Sequence, residues 1–527
     1  DDSTKGSSST TKKTTFSVIG MASADTWTRA DTSSSSPDGP TSTTKEFLST
    51  TSTTTSSLSA IFQSTEWKTL QGSDDIGGGL LPLKNAFLNA SMERLCAPLE
   101  YMFPPGVTVD EEGISMPMLP TLPSKYDLQK LDIIIRQELS LADPREGGGE
   151  LSMTSMVAES IVNMVKQFCQ QAAGAVSGAG EDGCLTTTMS PTEALDHDLK
   201  VSSVMSALAT TLRTAPENTF VVPYRPATSA QHEEAASLCQ SALLPALQEI
   251  ENTAKSLILT PLCRALNRRV ADAIAKMHHG TYLSEGMGGA IGGDEPGTSF
   301  VEKHLSTIYN GIAQNFLSKL PTEFATIVAS TVAKYSIYTF VSNVSLIRPL
   351  SETARLHVTQ DLADFEFALE QLVFKSNNSK ALNQIDHGKP YAELRDVRQM
   401  LFWTGLEDHD QDKAASSIAK LMLREVWIKD VRPSTVFHFL FSFAPPLLSS
   451  PHHAKNMKPE EYVKTLVQLD GSIDDGEANA WMITMACCDS YQQRESASSG
   501  AGQQQGDRRV PSILMMLGPE LLRRRRH

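Results

Sequence analysis

The fold class predicted by this amino-acid sequence is all-α: an elongated rod of stacked helical bundles behind a disordered N-terminal segment. Three observations predict it. From about residue 80 onward, apolar side chains recur at spacings of three and four, the period of one helix face. Runs that alternate apolar and polar between hairpin turns are missing from the sequence. The amphipathic segments also follow one another in series, separated by Gly, Pro or polar breaks, as packed bundles require.

Residues 1–75 are rich in Ser and Thr with few aliphatic side chains, too few to offset the entropy of ordering, so this segment is expected to be disordered. Leu80, Leu81, Leu83, Phe87, Met92, Leu95 and Leu99 then mark a helix that Pro104-Pro105-Gly106 stops. Helices follow at about 124–142, 151–178 and 192–214, with a loop at Gly147-Gly148-Gly149. The longest pattern runs from about 231 to 279, with a kink expected at Pro261 because proline lacks the N–H that a helix interior uses. After a Gly-rich loop at 280–297 come helices at about 298–319 and 322–347.

The second of these carries Ile327, Val328, Val332, Ile337, Phe340, Val341 and Val344 on one face. Pro349 ends it in an Ile-Arg-Pro-Leu corner, where Arg348 is free to cap carbonyls or to pair with an acid such as Glu352. A helix to about 375 restarts the pattern, followed by a polar break at Asn377-Asn378-Ser379 and helices near 390–405 and 412–425. The apolar run Phe437–Phe443 ends at Ala444-Pro445-Pro446, and helices near 458–469, 476–492 and 510–523 complete the chain around a break near 493–508. The organisation is therefore 1–75 disordered, 76–375 middle helical bundles and 376–527 a C-terminal helical bundle.

A formal net charge of −15 over 527 residues disfavours nucleic acid as a partner, because that affinity rests on neutralising phosphates. The seven cysteines (96, 169, 184, 239, 263, 487 and 488) fit no zinc or redox spacing and read as reduced thiols of a cytosolic protein. Stretch 324–347 comes nearest to a membrane span, but Lys334, Asn343 and several hydroxyl side chains interrupt it, so a buried amphipathic helix is expected. The chain starts Asp1-Asp2-Ser3 with no initiator Met or signal segment and reads as a fragment without its natural N-terminus. Sequons at Asn89, Asn343 and Asn377 read as chance occurrences.

The chemistry-bearing patterns are weak. Gly286-Met-Gly288-Gly289-Ala-Ile-Gly292-Gly293 has Ile291 where a dinucleotide fingerprint needs glycine, and reads as a linker. Asp408-x-Asp410-x-Asp412 begins like a calcium loop, but Lys413 and Ala419 occupy the positions of the turn glycine and the bidentate carboxylate. The pairs His278-His279 and His452-His453 are adjacent, not on one helix face as zinc requires. No catalytic, cofactor-binding or metal residue is assigned, which leaves an enzyme only as a site assembled from distant residues. The run Arg523–Arg526 reads as a solvated tail, ahead of an anionic-membrane contact or an address.

Three stretches carry a family resemblance: Leu83–Gly106, which ends Phe-Pro-Pro-Gly; Ser345-Leu-Ile-Arg-Pro-Leu350; and Phe439-Leu-Phe-Ser-Phe-Ala-Pro445 followed by Ser450-Pro451. In order and separation they resemble the subunit 5 family of the conserved oligomeric Golgi complex, a multisubunit vesicle tether, over its C-terminal two-thirds. The resemblance implies a peripheral protein on the cytosolic face of the Golgi membrane, built of helical bundles. It also implies assembly with the other subunits, contacts with SNAREs and Rab machinery, and a role in intra-Golgi retrograde vesicle tethering and so in Golgi glycosylation. The family's N-terminal helical region is absent before residue 1, and the Ser/Thr-rich start departs from the family pattern. The alternative is a helical-rod subunit of another tether such as exocyst.

Overall fold

A computed structural model describes residues 81–109, 115–143, 151–224, 230–278, 299–375, 389–406, 414–497 and 507–525. The Ser/Thr-rich segment 1–75, the loop at Gly147–Gly149, the Gly-rich loop, the break at Asn377–Ser379, the Asp408–Asp412 run and most of the expected break near 493–508 lie outside them. Contacts group the chain into Asp1–Lys84 and Asn85–His527, and apart from residues 81–84 everything below concerns the second unit.

Helix α1 (Leu81–Cys96) runs into a 3-10 turn, Ala97–Tyr101, before the two prolines. Here the structure adds an element that the periodicity did not predict. Strands β1 (Gly106–Val109) and β2 (Ser115–Met118) form an antiparallel ribbon with Gly106 opposite Met118 and Val109 opposite Ser115. Prolines 104 and 105 exclude a helix, and Val-Thr-Val is β-branched, so the short run takes the extended form. The other elements named among the described residues are all helical, as expected.

Helix α2 (Lys125–Leu141) starts at a capping box in which Ser124 and Asp127 bond each other's backbone N–H. It is followed by α3 (Leu151–Ala175), α4 (Glu193–Phe220) and α5 (Ala230–Ala254); α3 and α4 both pack on α5, and α2 packs on α4. Helix α4 passes through Pro216 and ends at Phe220, beyond the expected stop near 214. Burial of Ala215, Thr219 and Phe220 on that last turn offsets the backbone bond that proline cannot make. The irregularity expected at Pro261 is a π turn, Lys255–Leu259, placed directly ahead of α6 (Thr260–Ile274). Thr260 Oγ1 there donates to the Lys255 carbonyl at 2.7 Å.

The pattern at 298–319 is divided into α7 (Phe300–His304), α8 (Ser306–Asn315) and a 3-10 turn, Leu317–Lys319. Then come α9 (Thr322–Ser345), α10 (Glu352–Lys375), α11 (Lys389–Leu401), α12 (Ala415–Met422), α13 (Pro433–Phe441), α14 (Pro451–Ala454), α15 (Pro459–Leu466), α16 (Asp474–Ala497) and α17 (Val510–Arg525).

Helix α9 is central: α6, α10, α11, α13 and α15 all pack on it. Periodicity placed its apolar residues on one face, yet every residue from Tyr335 to Ile347 is buried. Helix α9 is long and apolar enough by composition to cross a membrane, and 72% of its apolar window lies inside the protein. A helix buried all round shows little periodicity, which is why the one-face reading failed at its C-terminal half.

Candidate functional site

The corner after α9 is where the second and third resemblance stretches meet. Leu346 and Ile347 extend α9 by bonds to the Asn343 and Val344 carbonyls, and the Arg348–Pro349 peptide is cis. Ser351 then caps α10, accepting the Ala354 N–H at 3.1 Å. Of the two roles open to Arg348, the structure adopts carbonyl capping. Nη2 donates to the carbonyls of Ala444 and Pro445 at 3.0 and 2.8 Å, and Nη1 to the Leu448 carbonyl at 2.8 Å and Ser450 Oγ at 3.2 Å. These acceptors lie just past the end of α13, where carbonyls lack helical partners and the helix dipole favours a cation. Burial pulls the Arg348 pKa down, and four acceptors around a guanidinium offset that cost.

A second buried arginine holds the start of α13. Arg432 Nε donates to Glu393 Oε2 at 2.7 Å, Nη2 donates to the Tyr338 carbonyl at 2.9 Å and to Ser342 Oγ at 3.1 Å, and the guanidinium stacks 4.5 Å above the Tyr338 ring. Glu393 also accepts from Thr435 Oγ1, while Glu477 accepts the Ser434 N–H at 2.8 Å and its hydroxyl at 2.6 Å. Two carboxylates at one helix N-terminus complement its dipole. Desolvation pushes the Glu393 pKa up, against the pull of Arg432.

Between the two arginines lies His438, with Nδ1 3.2 Å from Ser345 Oγ and Nε2 3.0 Å from Tyr462 OH. Burial first, then the Arg432 charge, draws its pKa down to about 3, so the ring is neutral. A serine hydrogen-bonded to a histidine is one form of activated nucleophile. Here Ser345 donates to the Ser342 carbonyl at 2.8 Å, and Ser345, His438 and Tyr462 are all buried, so no reactant reaches them. The seam of Ser342, Ser345, Arg348, Arg432 and His438 is internal scaffolding between α9 and α13.

The discounted motifs take similar places. His278 bonds Asn343 Oδ1 at 2.9 Å, and Asn343 is buried, so its sequon cannot carry a glycan. His452 is buried with its ring 4.2 Å from that of His453, and burial draws its pKa down to about 4. All seven cysteines are free thiols, and burial pushes Cys169 up to about 11 and Cys263 up to about 12. Among the described residues no group of three or more His, Cys, Asp or Glu side chains could hold a metal. The first resemblance stretch is fixed separately: Ser91 Oγ and Arg94 Nε donate to Glu138 of α2 at 2.7 and 2.6 Å. Sequence reasoning missed Arg432, Glu393 and Glu477, because a charged residue outside an apolar pattern gives no sign of being buried.

Serial helices joined through a buried polar seam place the described residues in the all-α class of helical-bundle proteins. Over 374 residues the chain is 24% identical to conserved oligomeric Golgi complex subunit 5 from Mus musculus, covering 71% of this chain and 38% of that protein. Over 268 residues it is 26% identical to the subunit of the same name from Arabidopsis thaliana, covering 48% of this chain and 28% of that protein. The resemblance read from the three stretches is thus a similarity to subunit 5 along most of the chain, and the chain spans well under half the length of these curated relatives. No family model matches. No solved structure matches either.

Proposed function

We propose that this chain is a non-enzymatic structural subunit of the conserved oligomeric Golgi complex, acting in intra-Golgi retrograde vesicle tethering and so in maintaining Golgi glycosylation. The observation that carries this reading is the similarity to two proteins named as subunit 5, one animal and one plant, over as much as 71% of the chain. The seam supports it physically, because it stiffens a succession of helices without exposing reactive groups. The reading entails peripheral attachment to the cytosolic face of the Golgi membrane, assembly with the other subunits, and contacts with SNAREs and Rab machinery. It also entails that the helices of 76–375 and those of 376–527 act as middle and C-terminal bundles.

Affinity capture of the tagged chain from cell extract, followed by cross-linking and mass spectrometry, tests it. Recovery of the other subunits of the complex is expected. Their absence, with exocyst subunits in their place and a tagged signal at the plasma membrane, would transfer the chain to that tether.

A further inference from the structure

Helices α7 and α8 pack on α10, and between them a cleft of about 580 Å³ opens at the surface. That volume is on the scale of a ligand or short peptide site. Ser306 and Asn310 of α8 line it together with Asp364, Phe367 and Gln371 of α10, and α7 adds Glu302. The lining holds two carboxylates and no lysine or arginine, and α8 carries no charged side chain at all. Neighbouring carboxylates on α10 are answered within the fold. Asp361 accepts the Phe300 N–H at 2.9 Å, and Glu366 accepts from Arg398 Nη2 at 2.6 Å. Asp364 accepts from the neutral Gln360 amide at 3.1 Å, and neither it nor Glu302 takes part in an ion pair among the described residues.

An exposed stripe runs from this cleft along α10. Leu356, Gln360, Ala363 and Phe367 follow at steps of four, three and four, and all are exposed, Leu356 by 59% and Phe367 by 63%. Such steps mark the seam on which a second helix lies. The stripe spans about 16 Å, three helical turns. Single exposed apolar side chains are ordinary on a protein surface, but here two large ones share a seam that ends in a cleft. Glu352 and Glu370, one turn beyond either end, are exposed carboxylates, while Arg355 is turned to the Phe443 ring, 5.4 Å from its centroid.

These carboxylates repel an anionic membrane surface or a nucleic acid. A helix with an apolar face flanked by lysine or arginine covers Leu356 and Phe367 and brings cations to Glu302 and Asp364. We propose that the α10 seam and its cleft dock a basic amphipathic helix of a partner protein. Leu356 and Phe367 supply the apolar contact, and Glu302 and Asp364 read the partner's cations. The proposal stands whichever assembly the chain joins.

The test uses the purified full chain and a fluorescein-labelled helical peptide with Leu at steps of three and four and Lys beside them, kept below the concentration at which it self-associates. Fluorescence anisotropy should show saturable binding that falls with added salt and is weaker by about tenfold or more for a copy with Glu in place of Lys and for a copy with a central proline. Leu356→Gln/Phe367→Gln and Glu302→Gln/Asp364→Asn should each lose about tenfold or more in affinity at unchanged helicity and thermal midpoint, and the single change Phe367→Gln serves where a double variant does not fold. Glu249→Gln/Glu251→Gln, with the same change in net charge at exposed positions of α5, should bind as the unaltered chain does. Equal loss in that control, equal binding of the Glu or proline peptide, full binding by Leu356→Gln/Phe367→Gln, or no saturable binding overturns the proposal. Self-association of the chain that Leu356→Gln/Phe367→Gln abolishes, without peptide binding, overturns it in favour of a second copy. Attachment to phosphatidylcholine vesicles lost in the same variant, again without peptide binding, overturns it in favour of a lipid surface.

Discussion

Arg348 reaches four acceptors on a segment a hundred residues away, and none of them is a carboxylate. Arg348→Ala should therefore lower the urea midpoint by an amount equivalent to about 3 kcal/mol, since hydrogen bonds from a charged donor contribute about 1.5–3 kcal/mol each and several are lost while some acceptors regain water. Arg348→Lys should recover less than half, because an ammonium cannot span the fork of carbonyls. Raising salt should leave the deficit nearly unchanged, unlike that of an exposed ion pair. His438 supplies a second expectation. Its pKa lies near 3 in the folded chain against an ordinary 6.5, so between these values the unfolded chain binds the extra proton and stability falls as pH falls. Thermal midpoints recorded from pH 7 to pH 4 should show His438→Gln to have a shallower decline, by up to about 1.4 kcal/mol per pH unit. Glu393, raised above its ordinary value, contributes the opposite slope above pH 4.5, and comparison with the variant cancels it. The alternatives for Arg348 could be read from its neighbours in sequence. The choice between them could not, because carbonyls supplied at 444–448 leave no mark in the local pattern.

At the scale of elements, proline and glycine positions and the three-four spacing placed most of the long helices to within a few residues, but left α13 as an apolar run and did not separate α7 from α8. The misses have physical causes. Val107-Thr108-Val109 is too short to display alternation, and Pro216 is tolerated because the turn after it buries Phe220. Helix α17 shows what the pattern cannot convey about packing. A Cβ on Gly518 would lie 1.9 Å from Cζ3 of Trp481 on α16, so glycine is there to let two helices approach. Helix propensity alone favours Gly518→Ala by about 1 kcal/mol. The overlap should reverse that sign, giving a net loss of about 2 kcal/mol by chemical denaturation and a shifted Trp fluorescence maximum. A stabilised variant with an unshifted spectrum would mean that the two helices do not pack as closely as described.

At the scale of the molecule, α9 belongs to both sides of residue 375. It packs on α6 and α10 before that point and on α11, α13 and α15 after it. Chains cut between 375 and 376 should accordingly fail as separate pieces: 1–375 should aggregate or bind a hydrophobic dye, and 376–527 should lack cooperative unfolding by circular dichroism. Mixing the two pieces should restore a cooperative transition if they meet before aggregating. Two soluble, cooperatively folded fragments would refute the shared core. The bundle class was legible from the chain alone, because it depends on local periodicity. The sharing of α9 was not, since it depends on polar groups such as Arg432 and His438 that satisfy Ser342 and Ser345 from 90 and 93 residues downstream. That separation also imposes a timetable on synthesis. At about 5–20 residues per second, a ribosome needs roughly 5–20 s after completing α9 to deliver the Arg432 and His438 side chains that bond its Ser342 and Ser345 hydroxyls. For that interval a nascent helix with the composition of a membrane span has α6 to pack on but neither α13 nor α15, so its apolar C-terminal half is the surface a chaperone would meet.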